Sequence, residues 1–138
     1  MTTLNPYLNF RGTAREAITF YQSVLGGELE LSTYGEYQMA QDPSQADLVM
    51  HAQLTVDGRL VLMASDTPDG TDLTVGSNVS LSLSGEDGAR MRGYWDALTA
   101  DGSVTVPFEP APWGDVFGMA VDRYGVHWLF NLAGASEG

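Results

Sequence analysis

The chain has 138 residues, no cysteine and a formal net charge of −12 at pH 7, and six arginines are its only cations besides two histidines. That balance excludes the basic stripe needed to bind nucleic acid or an anionic membrane surface, and the missing cysteine excludes disulfides, thiolate metal sites and cysteine nucleophiles. No run of about 18 apolar residues occurs, and Met1-Thr2-Thr3-Leu4-Asn5-Pro6 lacks the basic-then-apolar pattern of a secretory signal, so a cytoplasmic protein is expected.

Tyr7–Phe10 alternates as a short strand, and Arg11-Gly12-Thr13 breaks it. Ala17, Phe20, Tyr21 and Val24 then fall at i, i+3, i+4 and i+7, one apolar stripe of a helix. Thr13 is the expected N-cap, with Glu16 as its capping-box partner, and Gly26-Gly27 ends the helix. Strands are expected at 28–34, Val49–Val56 and 59–64, with Asp57-Gly58 as a tight hairpin turn. The polar segment 34–48 reads as a long loop placed to cover a pocket mouth.

The Gly/Pro/Asp-rich stretch 66–77 is a natural connector. Its Asp66, Asp69 and Asp72 lack the closing glutamate of a calcium loop and read as a solvated acidic turn. Beyond it, residues 79–83 alternate strictly between apolar residues and serine, and Glu86 and Asp87 suit a first helical turn. Met91, Tyr94, Trp95 and Leu98 repeat the helical stripe, and Asp101-Gly102 stops it. Strands follow at 103–108, Val116–Val121 and 126–132, with Arg123-Tyr124-Gly125 as a turn. The halves are offset by roughly 73 to 75 residues, longer than solenoid periods. The expected fold is α+β: two βαβββ modules, at about 1–66 and about 78–132, joined by a connector at about 67–77.

Strand parity divides the polar from the apolar residues. Leu8 and Phe10 face the first helix, and Asn5, Tyr7 and Asn9 the opposite side. Met50, Ala52, Leu54 and Val56 point inward, leaving His51, Gln53 and Thr55 on that second side. Ser80 and Ser82 share the non-helix side of the second module. Each module is therefore expected to present a polar, uncharged face, either the concave lining of a ligand cavity or a face wetted by solvent.

At this point the motifs become recognisable. Leu4-Asn5-Pro6-Tyr7-Leu8, Phe20-Tyr21-Gln22-Ser23-Val24-Leu25-Gly26-Gly27, Val49-Met50-His51-Ala52, Val61-Leu62-Met63-Ala64-Ser65-Asp66, Trp113-Gly114 through Phe117-Gly118-Met119, Asp122, and Gly125 to Asn131 follow one another in order. The chain so resembles the PhnB-like proteins of the glyoxalase/bleomycin-resistance/dioxygenase superfamily, also called vicinal oxygen chelate. The resemblance implies paired βαβββ modules forming a cupped mixed sheet, a homodimer, and a small-molecule ligand such as a drug or metabolite. Some such domains carry the label demethylubiquinone methyltransferase, yet no glycine-rich strand-to-helix loop for S-adenosylmethionine is present, Gly12 and Gly85 being isolated.

Metal-dependent members of that superfamily hold a divalent ion with four His, Glu or Gln ligands from the first and last strands of each module. Carried over by position, those sites fall at Asn5, Asn78, Leu62 or Met63, and Leu129, which are poor ligands for such an ion. No metal is therefore expected there, and a small-molecule-binding role is favoured. The alternative is a lyase, isomerase or dioxygenase-type enzyme using His51 or His127, with a divalent metal ion or as acid and base. Both histidines have the parity of the cavity face, although either could be a hydrogen-bonded sheet residue or an interface residue. Trp113, in a Pro-Trp-Gly turn, is either a pocket wall or a dimer contact, whereas Trp128 belongs to the core. The candidate binding residues are Tyr7, Asn9, His51, Gln53, Met63, Asn78, Ser80, Trp113, Phe117, His127 and Asn131.

Overall fold

A computed structural model describes residues 2–134. The chain divides into two compact units, Met1–Thr74 and Val75–Gly138. The first contains β1 (Tyr7–Phe10), α1 (Ala14–Leu25), β2 (Glu28–Thr33), a short 3-10 turn (Pro43–Gln45), β3 (Val49–Val56) and β4 (Leu60–Asp66). The second contains β5 (Leu81–Gly85), α2 (Gly88–Thr99), β6 (Ser103–Pro110), β7 (Val116–Val121) and β8 (His127–Leu132). Each unit is thus one βαβββ module with a four-stranded mixed sheet, ordered β1-β4-β3-β2 in the first and β5-β8-β7-β6 in the second. In each, the strand preceding the helix pairs in parallel with the last strand, and the remaining pairs are antiparallel hairpins.

In the first unit, one face of the sheet is closed by α1. Phe10, Ala52, Leu54, Val56, Leu62 and Ala64 are buried there, against Ala14, Ala17, Ile18 and Tyr21 of the helix. This stripe is rotated from the expected one. Ile18 and Tyr21 are fully buried while Phe20 and Val24 sit half-exposed at its flanks, because two alanines let the helix lie close to the strands along a different line. The Asp57-Gly58 turn forms as expected, with φ of 54° and 67°, the left-handed pair that a two-residue hairpin connection requires.

The N-terminus of α1 departs from expectation in an informative way. Thr13 makes no side-chain capping bond. The Ala14 amide donates instead to Oδ1 of Asp66, at 2.9 Å, from the far end of β4. Oδ2 of the same carboxylate accepts from the Val49 amide at 2.9 Å, where β3 begins. Asp66 is 2% exposed, so it is not part of a solvated turn: it is a buried carboxylate whose two oxygens hold the starts of two elements. Tyr34 adds a third tie, its hydroxyl donating to the Asp66 carbonyl at 2.9 Å. The segment 34–48 is consequently pinned down. Tyr34 N donates to Leu48 O, Gly35 N to Ala46 O, and buried Gln45 bonds the Asp69 side chain.

The second unit uses a similar device at a different place. Buried Asp122 accepts from the amides of Tyr124 and Val126 through Oδ1 and from the indole of Trp128 through Oδ2, at 2.8 to 3.1 Å. That carboxylate shapes the β7–β8 turn and fixes Trp128 in the core. Asp87 caps α2 by accepting from the Arg90 amide, so it precedes the helix rather than lying in its first turn. Met91 and Leu98 are buried as expected, and Trp95 packs with Phe108 and Phe130 at ring-centroid distances of 5.2 and 5.3 Å. Gly118 is required beneath this cluster: a Cβ there would stand 2.9 Å from both the Phe108 Cα and the Trp95 ring. β5 begins two residues later than the serine alternation suggests, because its pairing with β8 starts at Leu81 opposite Trp128. β6 is one of the two edge strands of its sheet, twice irregular in register, with Val104 and Val106 exposed.

Asp66→Asn keeps the shape but turns an acceptor into a donor facing a buried N–H, and should cost about 2–4 kcal/mol. Thr13→Ala should cost less than about 0.5 kcal/mol, since no capping bond is lost. Urea unfolding of the two variants measures the difference, and equal losses would refute the assignment.

Candidate functional site

The non-helix face of the first unit is built by register. Tyr7 lies opposite Met63, Met63 opposite Gln53, and Gln53 opposite Glu30, forming one row across all four strands. In the neighbouring positions Asn9 lies opposite Ser65 and His51 opposite Ser32. Tyr7, Asn9, His51, Gln53 and Met63 are therefore brought together, as parity alone indicated. Ser65 joins them, nearly buried and within 3.4 Å of the Asn9 side-chain oxygen. The serine was passed over because a lone hydroxyl in an apolar strand carries no local signal.

The strongest contact on this face is between the Tyr7 hydroxyl and Nδ1 of His51, at 3.0 Å, with the rings tilted and 5.6 Å apart. A phenol donating to Nδ1 of a neutral imidazole places the ring proton on Nε2, so His51 offers a donor there; the reverse tautomer would offer a lone pair. His51 is half-buried and Tyr7 is 43% exposed, so the pair is accessible from the face. Nearby, burial raises the Tyr34 phenol above its ordinary pKa, with further contributions from the charges of Asp66 and Tyr7. Tyr34 accordingly remains a neutral donor at physiological pH.

The second unit's face has a different character. Ser84, Asn131, Phe117 and Glu109 form one row, and Ser82, Leu129, Met119 and Val106 the next. Serines line only the β5 edge; the middle of the face is apolar, so the uniformly polar surface expected from the serine alternation is not found. His127 shares this side, opposite Val121, and is half-buried. Asn78 and Ser80 precede β5 in exposed chain and lie outside the sheet ladder. Trp113 is 60% exposed and meets Phe117 edge-on, with ring centroids 5.3 Å apart. Asn131 donates to Oδ2 of Asp115 at 3.0 Å. Glu109 enters this site through strand register and Asp115 through its bond from Asn131, so sequence spacing alone did not single them out.

The positions that would carry a metal do not fit one. Asn5 precedes β1 and bonds Thr3; Asn78 precedes β5; Leu62 is buried against α1, while Met63, the alternative at that position, faces the other side with only a thioether; Leu129 is aliphatic. Among the described residues no group of three His, Cys, Asp or Glu side chains converges to hold an ion. Nor does the β1–α1 turn fit an S-adenosylmethionine site of the strand–loop–helix kind. It carries a single glycine, Gly12, and the first amide of α1 is already bonded to Asp66. On the helix side of the first unit, an open groove of about 520 Å³ is lined by Gly12, Arg15, Thr19, Ser44 and Asp47, among others. Its lining includes Glu16 and Asp66 but none of the candidate binding residues expected from the sequence. No helix among the described residues is long and apolar enough to cross a membrane.

Comparison with known proteins places this geometry in context. The family model described as 3-demethylubiquinone-9 3-methyltransferase matches residues 2–130. Protein YjdN of Escherichia coli K12 is 30% identical over 94% of each chain. The crystal structure of PA1353 from Pseudomonas aeruginosa superposes with a TM-score of 0.83 at 36% identity, covering 96% of this chain and 98% of that one. The PhnB protein from Bacillus cereus gives 0.79 at 28% identity, covering 96% and 100%. A glyoxalase/bleomycin-resistance/dioxygenase domain from Frankia shares the fold, with a TM-score of 0.63 at 17% identity and coverage of 96% and 97%.

Tyr7→Phe removes the hydroxyl bonded to His51. Its ring-nitrogen resonances in a ¹⁵N-edited NMR spectrum should show a change at Nδ1 of His51 and none at His127. Identical spectra for His51 would rule out the pair in solution.

Proposed function

We propose that this chain, which belongs to the PhnB-like family described as 3-demethylubiquinone-9 3-methyltransferase, is a small-molecule-binding protein that works without the divalent metal used by its catalytic superfamily relatives. The observation that carries the reading is the composition of the first unit's sheet face. Tyr7, Asn9, His51, Gln53 and Ser65 supply hydrogen-bonding groups without an opposing Lys or Arg, and Met63 provides an adaptable apolar floor. Such a face recognises a small oxygenated or nitrogenous molecule by directional contacts. Asn5, Asn78, Leu62 or Met63, and Leu129 in place of the metal ligands support binding over isomerase or dioxygenase chemistry. The β1–α1 turn likewise gives no support to methyl transfer, whatever the family description says.

A second reading has its own observation. The Tyr7–His51 pair is a hydrogen-bonded phenol and imidazole, the components of an acid–base dyad. In that reading the protein is an enzyme acting on a small polar substrate, with His51 moving the proton and Tyr7 orienting the imidazole. His127, with no such partner among the described residues, is the weaker candidate. The protein is further proposed to act as a cytoplasmic homodimer.

Elemental mass spectrometry of the purified, untagged protein, before and after metal soaking and dialysis, should find no zinc, nickel, iron or manganese near one equivalent per chain. A stoichiometric metal would overturn the metal-free reading and make His51 and His127 the first ligands to test. For a small molecule found to bind, His51→Ala should weaken affinity with no turnover in either protein. A detectable reaction that His51→Ala slows by about 10² or more would establish the acid–base reading instead. Light scattering at micromolar concentration should return twice the chain mass of 14.9 kDa, and a monomer would refute the dimer.

A further inference from the structure

The second unit holds an aromatic corner whose charges all have one sign. Trp113 projects from the β6–β7 turn, 60% exposed, and meets Phe117 edge-on at 5.3 Å. The turn is not loose: Ala111 N donates to Asp115 O at 2.7 Å, and Gly114 N donates to Ala111 O at 3.0 Å. An aromatic this exposed on a braced turn presents ring surface that the fold itself does not use.

Phe117 is flanked by carboxylates. Glu109 is its register partner on β6 and is exposed. On the other side lies Asn131, its partner on β8, which donates to only one oxygen of Asp115. No arginine shares this side of the sheet. Arg90 and Arg92 are on α2, where the Arg92 guanidinium lies over the Phe108 ring, and Arg123 is in the β7–β8 turn, bonded to the Ala100 carbonyl and near Asp101. An electron-rich aromatic surface beside two carboxylates, with none of its own unit's arginines on that side, attracts positive charge and repels anions.

We propose that the Trp113–Phe117 corner binds a planar organic cation, a heteroaromatic ring system bearing positive charge, which stacks on Trp113 and is held by Glu109 and Asp115. This rests on the reading of the sheet faces as ligand-binding surfaces and adds the chemical class of the ligand. Phosphonates, phosphates and carboxylates are excluded from the corner by the same charges.

Three two-ring probes of matched shape test it by calorimetry on the full chain at neutral pH: N-methylquinolinium (cation), quinoline (neutral) and quinoline-4-carboxylate (anion). The cation should bind about tenfold more tightly than quinoline, and the carboxylate should not bind measurably. Trp113→Leu should weaken cation binding about tenfold. The double change Glu109→Gln, Asp115→Asn should abolish the preference for the cation while leaving quinoline binding unchanged. Circular dichroism of each variant establishes that the fold is kept. Equal binding of quinoline and the cation, both lost in Trp113→Leu, would overturn the charge selectivity while leaving a binding face intact. Failure of the cation to bind, or binding insensitive to Trp113→Leu, would overturn the corner as a site. Metabolite binding mapped by NMR to Tyr7 and His51 would still sustain the broader reading in that case.

Discussion

The first unit hangs on one carboxylate. Asp66 ends β4, and through its two oxygens it receives the first amide of α1 and the first amide of β3. A buried carboxylate is tolerable only when its charge is met by donors, and here the donors are the amides that would otherwise be left unpaired at the starts of two elements. Helix, hairpin and parallel strand are therefore located relative to a single side chain. The register that sets Tyr7 opposite Met63 and Met63 opposite Gln53 follows from that location. The second unit solves the same problem with Asp122, but spends the carboxylate on a turn and an indole rather than on a helix start.

The order of elements was legible because periodicity is local. Alternation in Val49–Val56 and the helical spacing of Met91 and Leu98 are visible within one element, and the duplication of strand, helix and three strands follows from them. What stayed hidden is non-local. The true cap of α1 lies 52 residues from the amide it accepts, whereas Thr13 had the local pattern of a cap and its side chain makes no capping bond. The stripe of α1 was misplaced because large apolar residues, Phe20 and Val24, outweighed the small ones that permit close approach. The connector aspartates looked alike in sequence, yet Asp66 is buried and Asp72 is exposed, a difference set entirely by strand pairing.

The candidate site was legible to the same degree. Parity brings Tyr7, Asn9, His51, Gln53 and Met63 to one face of the first sheet, because the period of a strand is two and each pairing is regular. Extrapolating the serines of β5 to the rest of the second sheet failed, since an edge strand says little about the residues that its neighbours carry. Leu129, Met119 and Val106 make that face amphipathic instead. The two modules share a plan and differ in surface chemistry, one rich in neutral hydrogen-bonding groups and the other pairing aromatics with carboxylates. Duplication of a fold followed by divergence of its exposed faces gives one chain two chemically unlike sheet faces.

The irregular edge strand β6 carries a consequence for behaviour at high concentration. Exposed Val104 and Val106 on an unpaired edge would ordinarily invite another copy to extend the sheet. Two register breaks and the imino nitrogens of Pro107 and Pro110 interrupt the row of donors that such an added strand would need. The strand is apolar enough to stick but too irregular to template. This arrangement discourages amyloid-like growth and lets the protein keep an uncovered sheet margin.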